Sequence, residues 1–281
     1  MKRTTPYIFL LPAIGLILFF NFVPMLQIIY YSFLCYSVFS ESKWIGFENY
    51  VHLWSDSNFW WTLGNSFLYI LVTPALMILA LMLALTVRKA GRSAVFFRAS
   101  LFFPVITPIV IVGIIWRWMF TEDTGILNYL LSAVHLPNVH WLTSYPTNAF
   151  SVMLMTLWRG AGYYMVIFLA GLAAIPKEIE EASILDGAST FQQTIHILIP
   201  MLKPTLLFVF VVSASAAMKM FTEIYVLIPG APISNKALVS YLYQQAFERF
   251  DLGYGSAISV ILFLMTLSFS YINIRAMEER T

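Results

Sequence analysis

Three charged residues, Arg159, Lys219 and Glu223, stand inside runs otherwise apolar enough to cross a membrane. A charge in that setting is costly, and by default it is a candidate for handling an ion or a solute. At 1.5 Å per residue, Arg159 lies about 15 Å along its predicted helix from Ala149. By the same rise Lys219 lies about 15 Å, and Glu223 about 9 Å, from Pro229. All three can therefore share one layer in the outer half of the membrane, and Lys219 and Glu223, four apart, can pair on one helical face. Two readings stand side by side. Either the three charges neutralise one another within a helix bundle, or they line a translocation cavity with Trp158, Tyr163, Tyr164 and Tyr225. Aromatic planes beside hydrogen-bonding groups suit sugars and polyols, whereas a cationic excess suits a phosphate ester or an acidic sugar. Arg117 lies only about 5 Å from its helix end at Phe120, and snorkelling accounts for it.

Other chemistry is missing from the sequence. His52, His135, His140 and His196 are scattered, and no His/Asp/Glu cluster falls within the apolar runs. The single cysteine, Cys35, excludes an internal disulfide and a cysteine-based metal cluster. There is no Gly-rich phosphate loop, so an engine driven by a nucleotide would have to sit on another chain. A net charge of +2 without a long basic run argues against nucleic acid.

The elements that must position these residues follow from composition. The 281 residues are 60% hydrophobic and 11% charged, with a mean hydropathy of +0.79; soluble domains carry roughly a quarter charged residues. A bilayer core of about 30 Å needs about 20 apolar residues in a helix. Six runs qualify and predict an all-α polytopic membrane protein: 7–34, 65–87, 99–120, 149–175, 204–229 and 253–274. The first follows Lys2 and Arg3, but it is too long for a signal core and lacks a small-x-small cleavage site, so it reads as a retained span. With the N-terminus inside, Lys2, Arg3, Arg88, Lys89, Arg92, Arg98, Lys177, Lys203, Arg275 and Arg280 are cytoplasmic, against Lys43, Lys236 and Arg249 outside. That bias predicts both termini in the cytoplasm. Two of the outer loops are rich in Trp, His, Asn and Pro, including Trp54, Trp60, Trp61, His135, His140 and Trp141. An interfacial aromatic belt is the main reading, and a docking surface for an external partner is the other.

Between the fourth and fifth runs lies a charged island, Pro176 to Pro204. Pro176 suits a first helical turn, and Glu178, Glu180 and Glu181 lie where the helix dipole favours anions. Asp186-Gly187 predicts a break, since glycine readily takes the left-handed conformation of a C-cap. Ser189 and Gln192 have the spacing of a capping box, and Ile199-Pro200 predicts a stop. The result is a capped helix-turn-helix in water.

At these residues the chain resembles a known family. Glu181-Ala182-Ser183, Gly187 four positions after Ser183, and Ile197-Leu198-Ile199-Pro200 are similar, without a gap, to the signature loop of binding-protein-dependent ABC importer permeases. Ser183 replaces the family's second Ala, and Ile199 replaces Leu. Asp186-Gly187-Ala188, Phe221–Leu227, Tyr241-Leu242-Tyr243, Ala246-Phe247 and Gly253-Tyr254-Gly255-Ser256-Ala257 further resemble the sugar-type (maltose/glycerol-phosphate-like) branch.

The resemblance implies a type I importer fold with a cytoplasmic coupling loop and a location in the bacterial inner membrane. In it Glu181, Ala182, Ser183, Asp186 and Gly187 would engage a groove of a cytoplasmic ATPase. It implies a second, homologous permease, two ATPase subunits that bind ATP and Mg, and an extracytoplasmic solute-binding protein. This chain would then be non-catalytic and hold no cofactor or metal, moving a carbohydrate-like solute by alternating access. Pro229-Gly230-Ala231-Pro232 stands where the family has a Gly-Gly-Pro turn facing the binding protein; a plain rigid turn is the other reading. Import of a glycerol-phosphate-type anion by the same machinery is an alternative. An ion-coupled secondary transporter is another, but it should show a carboxylate relay or paired broken helices near the midplane.

Overall fold

A backbone in lipid must satisfy its own hydrogen bonds, so apolar runs of membrane length fold as helices. The computed structural model describes residues 5–37, 39 and 41–278. Lys2, Arg3 and Arg280 of the charge count lie outside the described residues, as does the side chain of Arg92. Among the described residues the fold is all-α apart from a two-residue antiparallel ladder, Leu34–Cys35 with Lys43–Trp44, in the loop after the first apolar run, and an isolated bridge between Ser37 and Asp251.

In chain order the helices are α1 Phe9–Tyr31, α2 Glu48–Ser55, α3 Ser57–Arg88, α4 Ala94–Ile106, α5 Ile109–Met119, α6 Ile126–Ala133 and α7 Thr147–Ala173. Then come α8 Lys177–Leu185, α9 Thr190–Met201, α10 Lys203–Met218, α11 Thr222–Leu227, α12 Leu238–Tyr243 and α13 Leu252–Arg275. Among the described residues α1, α3, α7 and α13 are each long and apolar enough to cross a membrane.

Two expected spans are not straight. The run 99–120 is a pair of helices, α4 and α5, bent by 92°. Thr107 and Pro108 are extended there, at ψ 132° and 128°, because the residue before proline avoids the helical region. The run 204–229 ends as a helix at Met218 and restarts at Thr222, with Phe221 at φ −136°. Lys219 and Glu223 are therefore not one turn apart on a common helix. No ion pair joins them among the described residues, which corrects the expected pairing.

The core is built around α7. Met155, Met165, Phe168 and Leu172 on it are fully buried. Its glycines let neighbours approach: a Cβ at Gly162 would lie 2.0 Å from Leu101 O on α4, and one at Gly171 2.6 Å from Thr205 Oγ1 on α10. None of the α1 span window is buried; Phe9, Leu11 and Phe20 remain exposed for lipid or another chain.

Candidate functional site

A cavity of about 260 Å³ opens where α3, α4, α7, α10 and α11 meet. Arg159, Tyr163, Tyr164 and Glu223 of the predicted set line it, joined by Thr156 and Ser213. Arg159 sits near the middle of α7, roughly 18 Å from Thr147 and 21 Å from Ala173 at 1.5 Å per residue. Its Nε is buried without a hydrogen-bond partner, and an unpaired buried donor is costly. Glu223 at the start of α11 places a carboxylate in the same lining, so the cavity carries one group of each sign. Tyr163 and Tyr164 meet edge to face, with ring centroids 5.0 Å apart.

Thr156 and Ser213 were not singled out from the sequence. Their hydroxyls donate to carbonyls four residues back, Val152 O at 2.9 Å and Val209 O at 2.7 Å, and their oxygens remain able to accept. Small polar residues inside an apolar helix are the signal that points to them.

Three members of the predicted layer are elsewhere. Lys219 is exposed as the cap of α10. Trp158 is 47% exposed and meets Trp116 at 5.8 Å, away from the cavity. Tyr225 lies on the opposite side of α11 from Glu223, lining another pocket. The reading in which all three charges neutralise one another finds no support in this geometry.

The island between α7 and α10 folds as the sequence predicts at its first turn. Gly187 adopts φ +80°, and the Ala188 N–H reaches back to Ser183 O at 3.0 Å, the pattern of a glycine-terminated helix. The capping box is complete: Gln192 N donates to Ser189 Oγ at 3.3 Å, and Ser189 N to Gln192 Oε1 at 2.9 Å. The expected stop at Ile199-Pro200 is not there. The helix runs on to Met201 through a π-turn over Thr194–Leu198, and the wider turn accommodates the proline ring. The chain bends instead after Met201, by 69°.

Glu181, Ala182, Asp186 and Gly187 are exposed on α8 and its turn, beside exposed Ile184, Leu185 and Phe191. Ser183 faces the other way. It is 5% exposed, donates to Glu180 O at 2.7 Å and accepts from Gln193 Nε2 at 2.9 Å. It therefore braces α8 against α9. Glu180 pairs with Arg88 at the end of α3, a contact 92 residues apart in sequence that joins the island to the membrane helices.

The opposite end of the bundle gathers the other loops. Asn65 Nδ2 donates to Ser234 O at 2.7 Å and Lys236 O at 3.0 Å, and accepts at Oδ1 from Tyr145 Oη at 3.0 Å. Asp56, the N-cap of α3, accepts from the hydroxyls of Tyr241 and Tyr254. Burial pushes the Asp56 carboxyl up, and these hydroxyls with the backbone N–H groups of Asn58 and Phe59 outweigh it, holding it below the usual value. Pro229, Gly230, Ala231 and Pro232 form a turn at this end, with Pro229 O accepting from Lys236 Nζ at 2.8 Å.

Comparison with known proteins bears on this arrangement. The family described as "Binding-protein-dependent transport system inner membrane component" matches residues 77–280. The chain is 31% identical to the probable ABC transporter permease protein YurN of Bacillus subtilis, over 98% of this chain and 96% of that protein. It is 33% identical to the arabinooligosaccharides transport system permease protein AraP of the same organism, over 98% and 88%. A solved bacterial alginate ABC transporter, in complex with a periplasmic protein bound to an alginate pentasaccharide, contains a chain of the same fold. The TM-score is 0.85 at 21% identity, covering 97% of this chain and 93% of that one.

Proposed function

The chain belongs to the family of binding-protein-dependent transport system inner membrane components, and from that premise we propose that the solute it passes is carbohydrate-like. The arabinooligosaccharide transport of its relative supports this reading. The observation that carries it is the cavity lined by Arg159, Tyr163, Tyr164, Thr156, Ser213 and Glu223, in which aromatic planes, hydroxyls and one group of each charge surround a space at mid-helix. Such a mixture suits a polyhydroxylated ring, since apolar walls with a few placed polar groups orient small ligands.

The rest of the assembly follows. The exposed face of α8, with Glu181, Ala182, Asp186 and Gly187, is the coupling surface for a cytoplasmic ATPase that binds ATP and Mg. A second, homologous permease and an extracytoplasmic binding protein complete the importer, the latter meeting the Pro229–Pro232 turn. The island and both termini lie in the cytoplasm, as the lysine and arginine bias requires. Movement of α8 relative to α3 and α7 alternates the access of the cavity.

A second reading, import of an anionic solute, is favoured by the unpartnered Arg159 Nε. One experiment separates them: uptake of arabinotriose and of an alginate trisaccharide by the assembled importer in proteoliposomes, with its binding protein. Arg159→Gln should reduce both if the arginine serves hydroxyls. Selective loss of the acidic sugar assigns it to a carboxylate. Transport of neither, nor of maltotriose, by the wild type sinks the carbohydrate reading.

A further inference from the structure

The aromatic run from Tyr241 to Phe247 and the Gly253–Ala257 segment after it are only partly explained by packing. Tyr241 and Tyr254 both donate to Asp56. Gly253 passes Leu34 O so closely that a Cβ would lie 2.1 Å from it, and one at Gly255 would lie 2.9 Å from the Ala246 Cβ. Tyr243 and Phe247 serve none of these contacts. With Ser240 and Gln244 they form one stripe at i, i+3, i+4 and i+7 along α12 and the π-turn Gln244–Glu248 that extends it. Single π-turns are frequent at functional sites.

That stripe faces α11. The Tyr243 ring lies 5.0 Å from Phe221, 5.6 Å from Tyr225 and 5.3 Å from Phe247. Phe221, Tyr225, Tyr243, Ser240, Gln244 and Lys236 line a second cavity, also of about 260 Å³. Ser240 is 7% exposed with no partner for its Oγ, and Gln244 Oε1 is likewise buried and unpaired. Burial pushes the Lys236 ammonium below its usual pKa, against the pull of Glu248. Unpaired buried polar atoms beside an aromatic platform are costly until a ligand supplies hydrogen bonds. Helix α11 divides the two cavities, with Glu223 in the wall of one and Tyr225 in the wall of the other.

We propose that this cavity is a second saccharide subsite on the outward side of α11. It takes one sugar ring, stacked on Tyr243 with the Tyr225 ring, inclined at 69°, against its edge, and hydrogen-bonded by Ser240, Gln244 and Lys236, before that ring reaches the Arg159 cavity. The proposal rests on the carbohydrate reading above. It differs in naming residues that the first cavity does not share.

The test uses the assembled importer with its binding protein, and whichever of arabinotriose, maltotriose and an alginate trisaccharide it transports. Losing the stacked ring in Tyr243→Ala should raise KM about three- to tenfold, with kcat falling less. Tyr243→Phe, which keeps the ring, should raise it less than twofold. In a Cys35→Ser background, the sugar should slow maleimide labelling at Gln244→Cys and, as a marker of the first cavity, at Ala216→Cys. Protection at Ala216→Cys alone overturns the outer subsite and leaves the carbohydrate reading standing. Absence of transport of every sugar ends both. If Tyr243→Ala instead separates the co-purifying permease pair, the aromatic face is a subunit contact and the proposal is wrong.

Discussion

Breaking the Arg88–Glu180 pair should uncouple ATP hydrolysis from transport without unfolding the chain. The two side chains are 28% and 18% exposed, so the pair lies between the surface and buried cases. Exposed pairs contribute about 0.2–1 kcal/mol, and removing one partner of a buried pair costs about 3–5 kcal/mol. For Arg88→Ala or Glu180→Ala we expect about 1–2 kcal/mol, equivalent to roughly a 5- to 30-fold shift between docked and released α8. The helix itself should survive, because Ser183 and Gln193 still brace it through Glu180 O. The assay is sugar imported per ATP hydrolysed by the assembled importer in proteoliposomes. In the double variant the loss should be close to that of either single change, since residues acting as one contact are not additive. Additive losses, or an unchanged ratio in Arg88→Ala, would refute the idea that this pair transmits motion.

The turn of the island gives a graded test. At φ +80° with nothing within 4 Å of a built Cβ, Gly187→Ala meets only backbone strain, about 1 kcal/mol, and should reduce coupled transport several-fold. Gly187→Pro cannot adopt that angle and should abolish it while the membrane helices remain folded; wild-type transport would remove Gly187 from the coupling path. At the α4–α7 contact Gly162→Ala forces a Cβ to within 2.0 Å of Leu101 O. Overpacking of about 1–3 kcal/mol should lower the thermal midpoint in detergent, and an unchanged midpoint would deny that contact. Asp56 has a folded pKa below its unfolded value of about 3.9, so the stability it adds is present above that pH and lost as pH falls through the folded pKa. Asp56→Asn should flatten the acid limb of thermal stability; a limb as steep as that of the wild type would place the acid sensitivity elsewhere.

What the sequence discloses depends on whether the signal is local. Apolar length is local, and it announces the membrane helices. Cap chemistry is local too, so Gly187 and the Ser189/Gln192 box are read correctly from residue types alone. Proline is local in the sequence but not in its effect. Pro104 lies inside α4 and Pro200 inside α9, whereas Pro108 stands at a 92° bend. Beyond that bend the packing of α5 on α11, so close that a Cβ at Gly113 would lie 2.6 Å from the Val226 side chain, is set by tertiary context. The break after Met218 has neither proline nor glycine to mark it, and the expected Lys219–Glu223 pair failed because its arithmetic assumed a continuous helix.

The candidate site divides along the same line. Arg159, Tyr163 and Tyr164 share one helix, so their common face is readable from spacing, and Glu223 joins them only because α11 turns toward the cavity. Arg88 with Glu180, and Asp56 with Tyr241 and Tyr254, lie 92, 185 and 198 positions apart, beyond the reach of any periodicity. These long-range pairs sit at the two ends of the bundle, one at the island and one among the opposite loops. The cavity at Arg159 lies between them, lined from α3, α4, α7, α10 and α11.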